Sequence, residues 1–190
     1  TEMVRDRLIA KIERGSHTLS DTRFLHTEPH HDDLMLGYLP YIVRHTRNAS
    51  NTHYFACLTG GFTAVTNRLI LGYVKQLASR LDSEDFVRLW AAGYFEPDSL
   101  EGRNRDVWQY LDGVAAASED ARDEGAARRF LRNLIANYGD SSRDAVRSRL
   151  DALRIYFASC HPGQKDSDDV QRLKSMCREW EAECIWGYFG

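Results

Sequence analysis

Residues 23–33, Arg-Phe-Leu-His-Thr-Glu-Pro-His-His-Asp-Asp, decide the fold expected of this chain. They begin with a short, partly apolar segment whose length suits a β-strand, and Pro29 ends it. A second strand candidate, residues 52–58, is aromatic and mostly apolar and is followed by a Gly-Gly pair. With a helix between them, such segments normally form a parallel pair with a right-handed crossover. We therefore predict parallel pairing of residues near 23–28 with residues near 53–58.

Helical spacing of apolar residues surrounds these two segments. The first helix is expected to end at Gly15, a good C-terminal breaker. Residues 34–44 are densely apolar, and their helix should begin near Gly37 because proline, here Pro40, is tolerated in a first helical turn. A further helix is predicted over residues 64–81.

After Leu81 the sequence has the character of helices alone. Ser83, Ser118 and Ser142 each precede a charged first turn, as N-caps do, and Gly139 is placed to end a helix. No further strand is predicted in this half. The predicted helices lie near 83–92, 103–117, 119–138 and 142–158, with a last helix, capped by Asp166 or Ser167, that ends near Trp186.

The fold class expected from this pattern is α/β, with a Rossmann-like parallel start and a helix-dominated second half. Residues 1–82 form the first segment, and residues 83–190 form a helical insertion or extension of the same domain. Two parallel strands are too few for a stable sheet. Either helices cover this small sheet, or the domain is incomplete and its remaining strands lie beyond Gly190, which ends an apolar, aromatic stretch.

Composition excludes several classes of protein. Hydrophobic residues make up 43% of the 190 residues, which is enough for a core. The net charge of −3 and the scattered basic residues argue against nucleic acid as a partner. No apolar run is long enough to span a membrane, and the N-terminal stretch lacks a signal peptide's apolar region. The four cysteines contain no C-x-x-C pair, so we expect free thiols and a cytoplasmic location.

The polar loop after the first strand carries the candidate chemistry. His30, His31, Asp32 and Asp33 follow one another at a strand's carboxyl end, where open α/β sheets bind ligands. Zinc takes histidine nitrogen and carboxylate oxygen, and a nearby carboxylate that does not bind the metal can act as a general base. The alternative is a polar turn in which one aspartate caps the next helix and the histidines are solvated.

The loop also supports a family resemblance. Pro29-His30-His31-Asp32-Asp33, preceded by Phe24-Leu25-His26-Thr27, resembles the histidine–proline–aspartate–aspartate signature of the PIG-L (LmbE-like) zinc de-N-acetylases, which are Rossmann-like enzymes acting on N-acetylglucosamine-type sugars. The chain is most similar to the subgroup fused behind a glucosamine-6-phosphate deaminase domain. The stretches that carry this second similarity are residues 35–43, 53–56, 59–67, 162–165 and 186–190.

The resemblance implies a role for each loop residue. His30 matches the family's first zinc ligand, Asp33 its carboxylate ligand, and Asp32 its general base. His31 departs from the pattern, because most relatives have proline there. The family's third ligand is a histidine from a later strand–loop region, and no counterpart precedes the chain's end. His161 is expected to be an exposed turn residue, so the zinc site should be loose and the chain alone slow or inactive.

Other candidate residues follow the second strand. Gly60, Gly61, Phe62, Thr63 and Asn67 are expected either to bind the substrate, because glycines allow close backbone approach, or to form a plain turn. Among the remaining side chains, His26 is expected to be a hydrogen-bonded interior residue. Aromatic residues at helical spacing are expected in the core, namely Trp90, Tyr94, Phe95, Trp108 and Trp180.

The functional hypothesis is therefore a zinc-dependent hydrolase that removes an acetyl group from an N-acetylglucosamine-type sugar. Two alternatives stay open: a catalytically incomplete helical interaction or assembly module, and part of a fusion protein whose activity is that of a glucosamine-6-phosphate deaminase. The expected partners are an amino-sugar substrate and either a second copy of the chain or the fused deaminase domain.

Overall fold

The computed structural model describes residues 1–161 and 163–189, so Pro162 and Gly190 lie outside the described residues. Within these ranges the chain is mostly helical and contains one two-stranded parallel sheet, an α/β composition. The elements are α1 (Glu2–Ser16), β1 (Arg23–Glu28), α2 (His31–Gly37), α3 (Leu39–Thr46), β2 (Thr52–Cys57), a 3₁₀ turn (Phe62–Ala64), α4 (Asn67–Arg80), α5 (Glu84–Ala91), α6 (Leu100–Ala115), α7 (Glu119–Tyr138), α8 (Arg143–Ser159) and α9 (Asp168–Phe189).

The chain divides into two compact units. The first contains residues 1–59 and Phe189, and the second contains residues 60–161 and 163–188. Helix α4, which the sequence grouped with the first segment, therefore belongs with the later helices. The assignment of residues 1–82 and 83–190 to parts of one deacetylase-like domain stays a prediction. No described helix is both long and apolar enough to cross a membrane.

The parallel strand pair is confirmed. β1 and β2 pair in register from Arg23 with Thr52 to Glu28 with Cys57. Backbone bonds extend the ladder by two residues, because the amide of Leu58 donates to the carbonyl of Glu28 (2.9 Å) and the next amide donates to the carbonyl of Pro29 (2.9 Å). The loops that leave the two strands therefore start side by side.

The crossover consists of two helices, where the sequence predicted one. The first begins at His31, earlier than the predicted start near Gly37, because His30 has an extended backbone and acts as its N-cap. It ends at Gly37, and the amide of Tyr38 closes it on the carbonyl of Leu34 (2.9 Å). Pro40 lies in the first turn of α3, as predicted. The candidate loop is therefore a helix start.

Serine caps set the helix starts in the second unit. The side chains of Ser83, Ser118 and Ser142 each accept the amide hydrogen of the residue three positions on, which confirms the predicted N-caps. Gly139 ends α7 in the left-handed region with φ 71°, which glycine adopts without steric cost. Helix α6 starts before the predicted position because Ser99 caps it.

The large core lies in the second unit, where α4, α7 and α8 pack together through aliphatic and aromatic side chains. Phe95 and Trp180 are buried as predicted, and Trp90 and Tyr94 pack partly buried against the core. The prediction for Trp108 was wrong, because its side chain is 64% exposed. All four cysteines are free thiols, as expected, and the core contains Cys177 and Cys184.

Candidate functional site

The loop between β1 and α2 is held by hydrogen bonds between residues close in sequence. The amide of His30 donates to Oδ2 of Asp33 (3.0 Å), and the amide of Asp33 donates back to the carbonyl of His30 (3.1 Å). A carboxylate in the first turn also interacts favourably with the positive end of the helix dipole. Asp33 thus caps α2, the role that was the alternative to metal binding. Only its Oδ2 accepts the hydrogen bond from the His30 amide.

Asp32 orients the ring of His30. Its Oδ1 lies 2.5 Å from Nδ1 of His30, and the His30 side chain is 15% exposed. A carboxylate at Nδ1 favours the tautomer that carries its hydrogen there, which makes Nε2 the nitrogen with a lone pair. Histidines that bind metals are commonly oriented by a carboxylate in this way. The prediction that Asp32 faces a metal without binding it stays a prediction.

His31 is a buried residue at the start of α2. The residue is 4% exposed, and its ring lies 4.2 Å, centroid to centroid, from the ring of His30. His31, the residue that departs from the PIG-L signature resembled by this loop, is therefore a packed imidazole.

A buried carboxylate adjoins this loop. Glu28, the last residue of β1, is 1% exposed, and among the described residues neither of its oxygens has a hydrogen-bond partner of normal geometry. Burial raises the pKa of Glu28, and the nearby Cys57 thiol only partly offsets the effect. Cys57 is exposed as a residue, but its thiol is partly buried. This burial, and to a smaller extent the charge of Glu28, raises the pKa of the thiol to about 11. Sequence reasoning missed Glu28, whose only signal was a charge at the end of a strand.

The side chains of the loop are of types that bind zinc, but too few metal-binding side chains of the described residues lie together. His30 offers an imidazole nitrogen and Asp33 a carboxylate oxygen, both common zinc ligands, and the buried carboxylate of Glu28 has no described hydrogen-bond partner of normal geometry. However, residues 1–161 and 163–189 contain no group of three or more His, Cys, Asp or Glu side chains placed to hold a metal ion. His161 is exposed, as expected, and its amide donates to Oε1 of Gln164 (3.3 Å).

The predicted substrate-binding residues lie in the second compact unit. Gly61 has φ 58°, and the 3₁₀ turn that follows it contains Phe62 and Thr63. Gly60 lies against α9, because a Cβ there would come within 2.7 Å of Oγ of Ser175. Glycine is therefore favoured at position 61 by the positive φ and at position 60 by the close approach to Ser175. This geometry agrees with a tight turn and leaves substrate binding a prediction.

The side chain of Asn67 is held from within the protein. Its Oδ1 accepts a hydrogen bond from Nζ of Lys174 (2.8 Å), and Lys174 also donates to Oδ2 of Asp166 (2.6 Å). Oδ1 of Asp166 accepts from the hydroxyl of Tyr156 (3.1 Å). Sequence reasoning missed Lys174, because 107 residues separate it from Asn67 and no local spacing connects them.

Histidine rings fill the covered face of the small sheet. Nε2 of His26 lies 2.9 Å from Nδ1 of His53, which confirms the interior role predicted for His26. The ring of Phe24 lies 4.6 Å from that of His53 and 5.1 Å from that of the fully buried His45. The pKa of His26 is lowered mainly by burial and to a smaller extent by His53. The pKa of His45 is also lowered mainly by burial, with a smaller effect from Arg44.

The structure therefore brings together His30, Asp32 and Asp33 in one loop, while the residues of the Gly60–Asn67 turn belong to the other compact unit. No protein-family model, curated protein or solved structure matches the chain.

Proposed function

We propose that the loop from His30 to Asp33 is the catalytic loop of a zinc-dependent de-N-acetylase acting on an N-acetylglucosamine-type sugar. The observation that carries the proposal is the contact between Asp32 and the ring of His30 at the carboxyl end of a parallel strand. In the neutral imidazole this contact favours the tautomer with its hydrogen on Nδ1 and its lone pair on Nε2, and a metal ligand requires such a lone pair. The resemblance to the PIG-L signature and a Rossmann-like start to the domain are parts of the same proposal.

His30 and Asp33 would hold the zinc, which when bound polarises the acetyl carbonyl and lowers the pKa of a water molecule. Asp32 uses Oδ1 to orient His30, and its carboxylate takes the proton of the attacking water. The water oxygen bonds to the acetyl carbon, and the carbon–nitrogen bond breaks once the nitrogen has gained a proton. The products are acetate and the free amino sugar.

Zinc titration and acetate release test this proposal. We expect His30→Ala and Asp33→Asn to lose zinc binding, and Asp32→Asn to keep zinc with roughly tenfold lower affinity, as is typical when an outer-shell partner is lost. Asp6→Asn, an exposed position in the same unit, is the matched control and should bind zinc as the parent chain does.

We expect acetate release from N-acetylglucosamine in excess zinc to be slow, because the described residues provide no third ligand. Asp32→Asn should lower it further. Unchanged zinc affinity in both His30→Ala and Asp33→Asn would refute the metal loop, and parental acetate release by Asp32→Asn would refute the general base.

One observation favours a second function, a non-catalytic interaction module. Helix α1 buries none of its residues and exposes apolar side chains on successive turns, including Val4, Leu8 and Ile12. Contiguous exposed apolar surface is typical of sites that bind other proteins. Zinc content separates the two functions, since an interaction module needs no metal and a hydrolase of this class does.

A further inference from the structure

The two-stranded sheet has one covered face and one open face. The ring of Phe24 on β1 lies 5.1 Å from that of the fully buried His45, so α3 packs on the face to which Phe24 belongs. Successive side chains of a strand point to opposite faces, which places Leu25, Tyr54 and Leu58 on the other face. Tyr54 is the partner of Leu25 in the register, and the amide of Leu58 continues the ladder. These three apolar side chains are between 55% and 72% exposed and form what we call the open sheet face.

Helix α1, which belongs to the same compact unit, has an exposed apolar side of its own. Val4, Leu8 and Ile12 follow one another at intervals of four residues, so they lie on one side of the helix, and all three are exposed. The helix has 15 residues, buries none of them, and its N-cap makes no side-chain hydrogen bond. An isolated helix of this length is marginal in water, because most helices in proteins are stabilised by packing their apolar side. A surface that covers this side would therefore stabilise α1.

Hydrogen bonds at the end of α1 hold it away from the open sheet face of its own chain. A guanidinium nitrogen of Arg44 on α3 donates to the carbonyl of Gly15 in the last turn of α1. In the connection that follows, the amide of Leu19 donates to Nδ1 of His45 (3.4 Å), which also lies on α3. Both bonds join the end of α1 to the helix that covers the opposite face of the sheet. A second copy of the chain can present its open sheet face to α1 without breaking them.

The dimensions of α1 match those of the open sheet face. A helix of 15 residues is about 22 Å long and about 10 Å wide, and strands of six residues are about 20 Å long. One contact between helix and sheet therefore covers roughly 220 Å² on each partner, and two symmetric contacts cover roughly 900 Å² in total. Specific interfaces bury at least about 1,000 Å². A single contact is thus too small, whereas a reciprocal pair of contacts approaches the area that a weak dimer needs.

We infer that the chain forms a symmetric dimer in which α1 of each copy packs on the open sheet face of the other copy. A reciprocal exchange of this kind is closed, and it covers both apolar surfaces of both copies. The inference gives a partner to the interaction role considered above for α1, and it is independent of the zinc chemistry proposed for the His30–Asp33 loop. Given the small area, we expect a Kd of roughly 10–100 µM.

Sedimentation velocity of the full chain over a range of concentrations measures the association. Leu8→Lys places a charge on the apolar side of α1, and Leu25→Glu places one on the open sheet face. Either charge would be buried in the dimer, so each variant should weaken association by more than about tenfold. Both positions are exposed in the single chain, so circular dichroism should show that the fold is kept. Trp108→Lys is the matched control, because it changes an exposed apolar residue of α6 and should associate as the parent does.

Mixing the two variants tests which surfaces meet. In an equimolar mixture of Leu8→Lys and Leu25→Glu, the introduced lysine faces the introduced glutamate in one contact and the other contact is unchanged. The mixture should therefore associate at least tenfold more tightly than either variant alone, as opposite charges in contact attract. If α1 paired with α1 instead, the mixture would not recover, because the introduced lysine would meet an apolar helix.

The helical content of the parent should increase with concentration over the range in which the dimer forms, since packing stabilises α1. A parent that stays monomeric at about 1 mM, parental association in either single variant, or no recovery in the mixture overturns the inference. A monomer that gains helicity only on anionic lipid vesicles also overturns it and would assign α1 to a membrane surface. Zinc titration of Leu8→Lys should give the parental affinity, so that loss of the dimer and loss of the metal loop are measured separately.

Discussion

Removing the carboxylate of Asp106 should severely destabilise the helical unit. Asp106 is fully buried on α6 and accepts hydrogen bonds from Nε of Arg132 (2.8 Å), Nε of Arg129 (3.2 Å) and the hydroxyl of Tyr94 (2.8 Å). Both arginines are 1% exposed. Asp106→Leu would leave Arg132 buried without its counter-charge and Arg129 with Glu183 as its remaining partner. Breaking a buried ion pair from one side typically costs about 3–5 kcal/mol, so we expect a loss of that size.

Urea denaturation, followed by tryptophan fluorescence and by circular dichroism, measures this loss. The matched control is Asp151→Leu, whose carboxylate pairs with Arg154 on the exposed side of α8, with both side chains more than 60% exposed. That pair should contribute less than about 1 kcal/mol. In the Asp106→Leu background, Arg132→Met should restore part of the stability, because it removes one uncompensated charge. A cost for Asp106→Leu within about 1 kcal/mol of the control's would refute the reasoning.

Two further predictions concern close packing and pH. Gly125→Ala should destabilise the protein by about 1–3 kcal/mol, since a Cβ there would lie 2.7 Å from the backbone nitrogen of Tyr110. Gly72→Ala should stabilise it by up to about 1 kcal/mol, because a Cβ at that helical position would have no neighbour within 4 Å. Thermal denaturation of both variants measures these changes. Because the pKa values of His26 and His45 lie below the ordinary 6.5, the unfolded chain binds more protons as pH falls below that value. The free energy of unfolding of the first unit should therefore decrease below pH 6.5, by up to about 1.4 kcal/mol per pH unit for each histidine until its folded pKa is passed, and urea denaturation at several pH values measures the slope.

Local signals in the sequence predicted most of the fold. The N-cap serines and the left-handed Gly139 act within a few residues, so their effects can be inferred from spacing alone. The parallel pair was predictable because its two segments are short, contain apolar and aromatic residues, and are separated by a stretch with helical spacing. The early start of α2 was not, since it depends on Asp33 accepting the amide hydrogen of His30, and an aspartate at that position fits a metal ligand equally well.

Contacts between residues far apart in the sequence could not be predicted from local patterns. The bond of Lys174 to Asn67 and the burial of Arg129 and Arg132 around Asp106 leave no periodic trace in the sequence. For Trp108 the periodicity was misleading. It is a large aromatic residue at helical spacing, as core residues often are, but it lies exposed on α6. Periodicity identifies a helix, but which face of it finds a partner depends on the other helices.

The interior of the first unit is unusual in being mostly polar, with Leu34 and Ile42 as its only buried aliphatic side chains among residues 1–59. The other buried side chains there are His26, Glu28, His31 and His45. Burying titratable groups opposes folding unless they are well paired, and aliphatic residues would stabilise such a small sheet better. In the second unit, by contrast, the buried charges around Asp106 are paired with one another. Real proteins break the rules of stability chiefly at functional sites. The polar interior beneath the His30–Asp33 loop therefore agrees with the function that we propose for this loop.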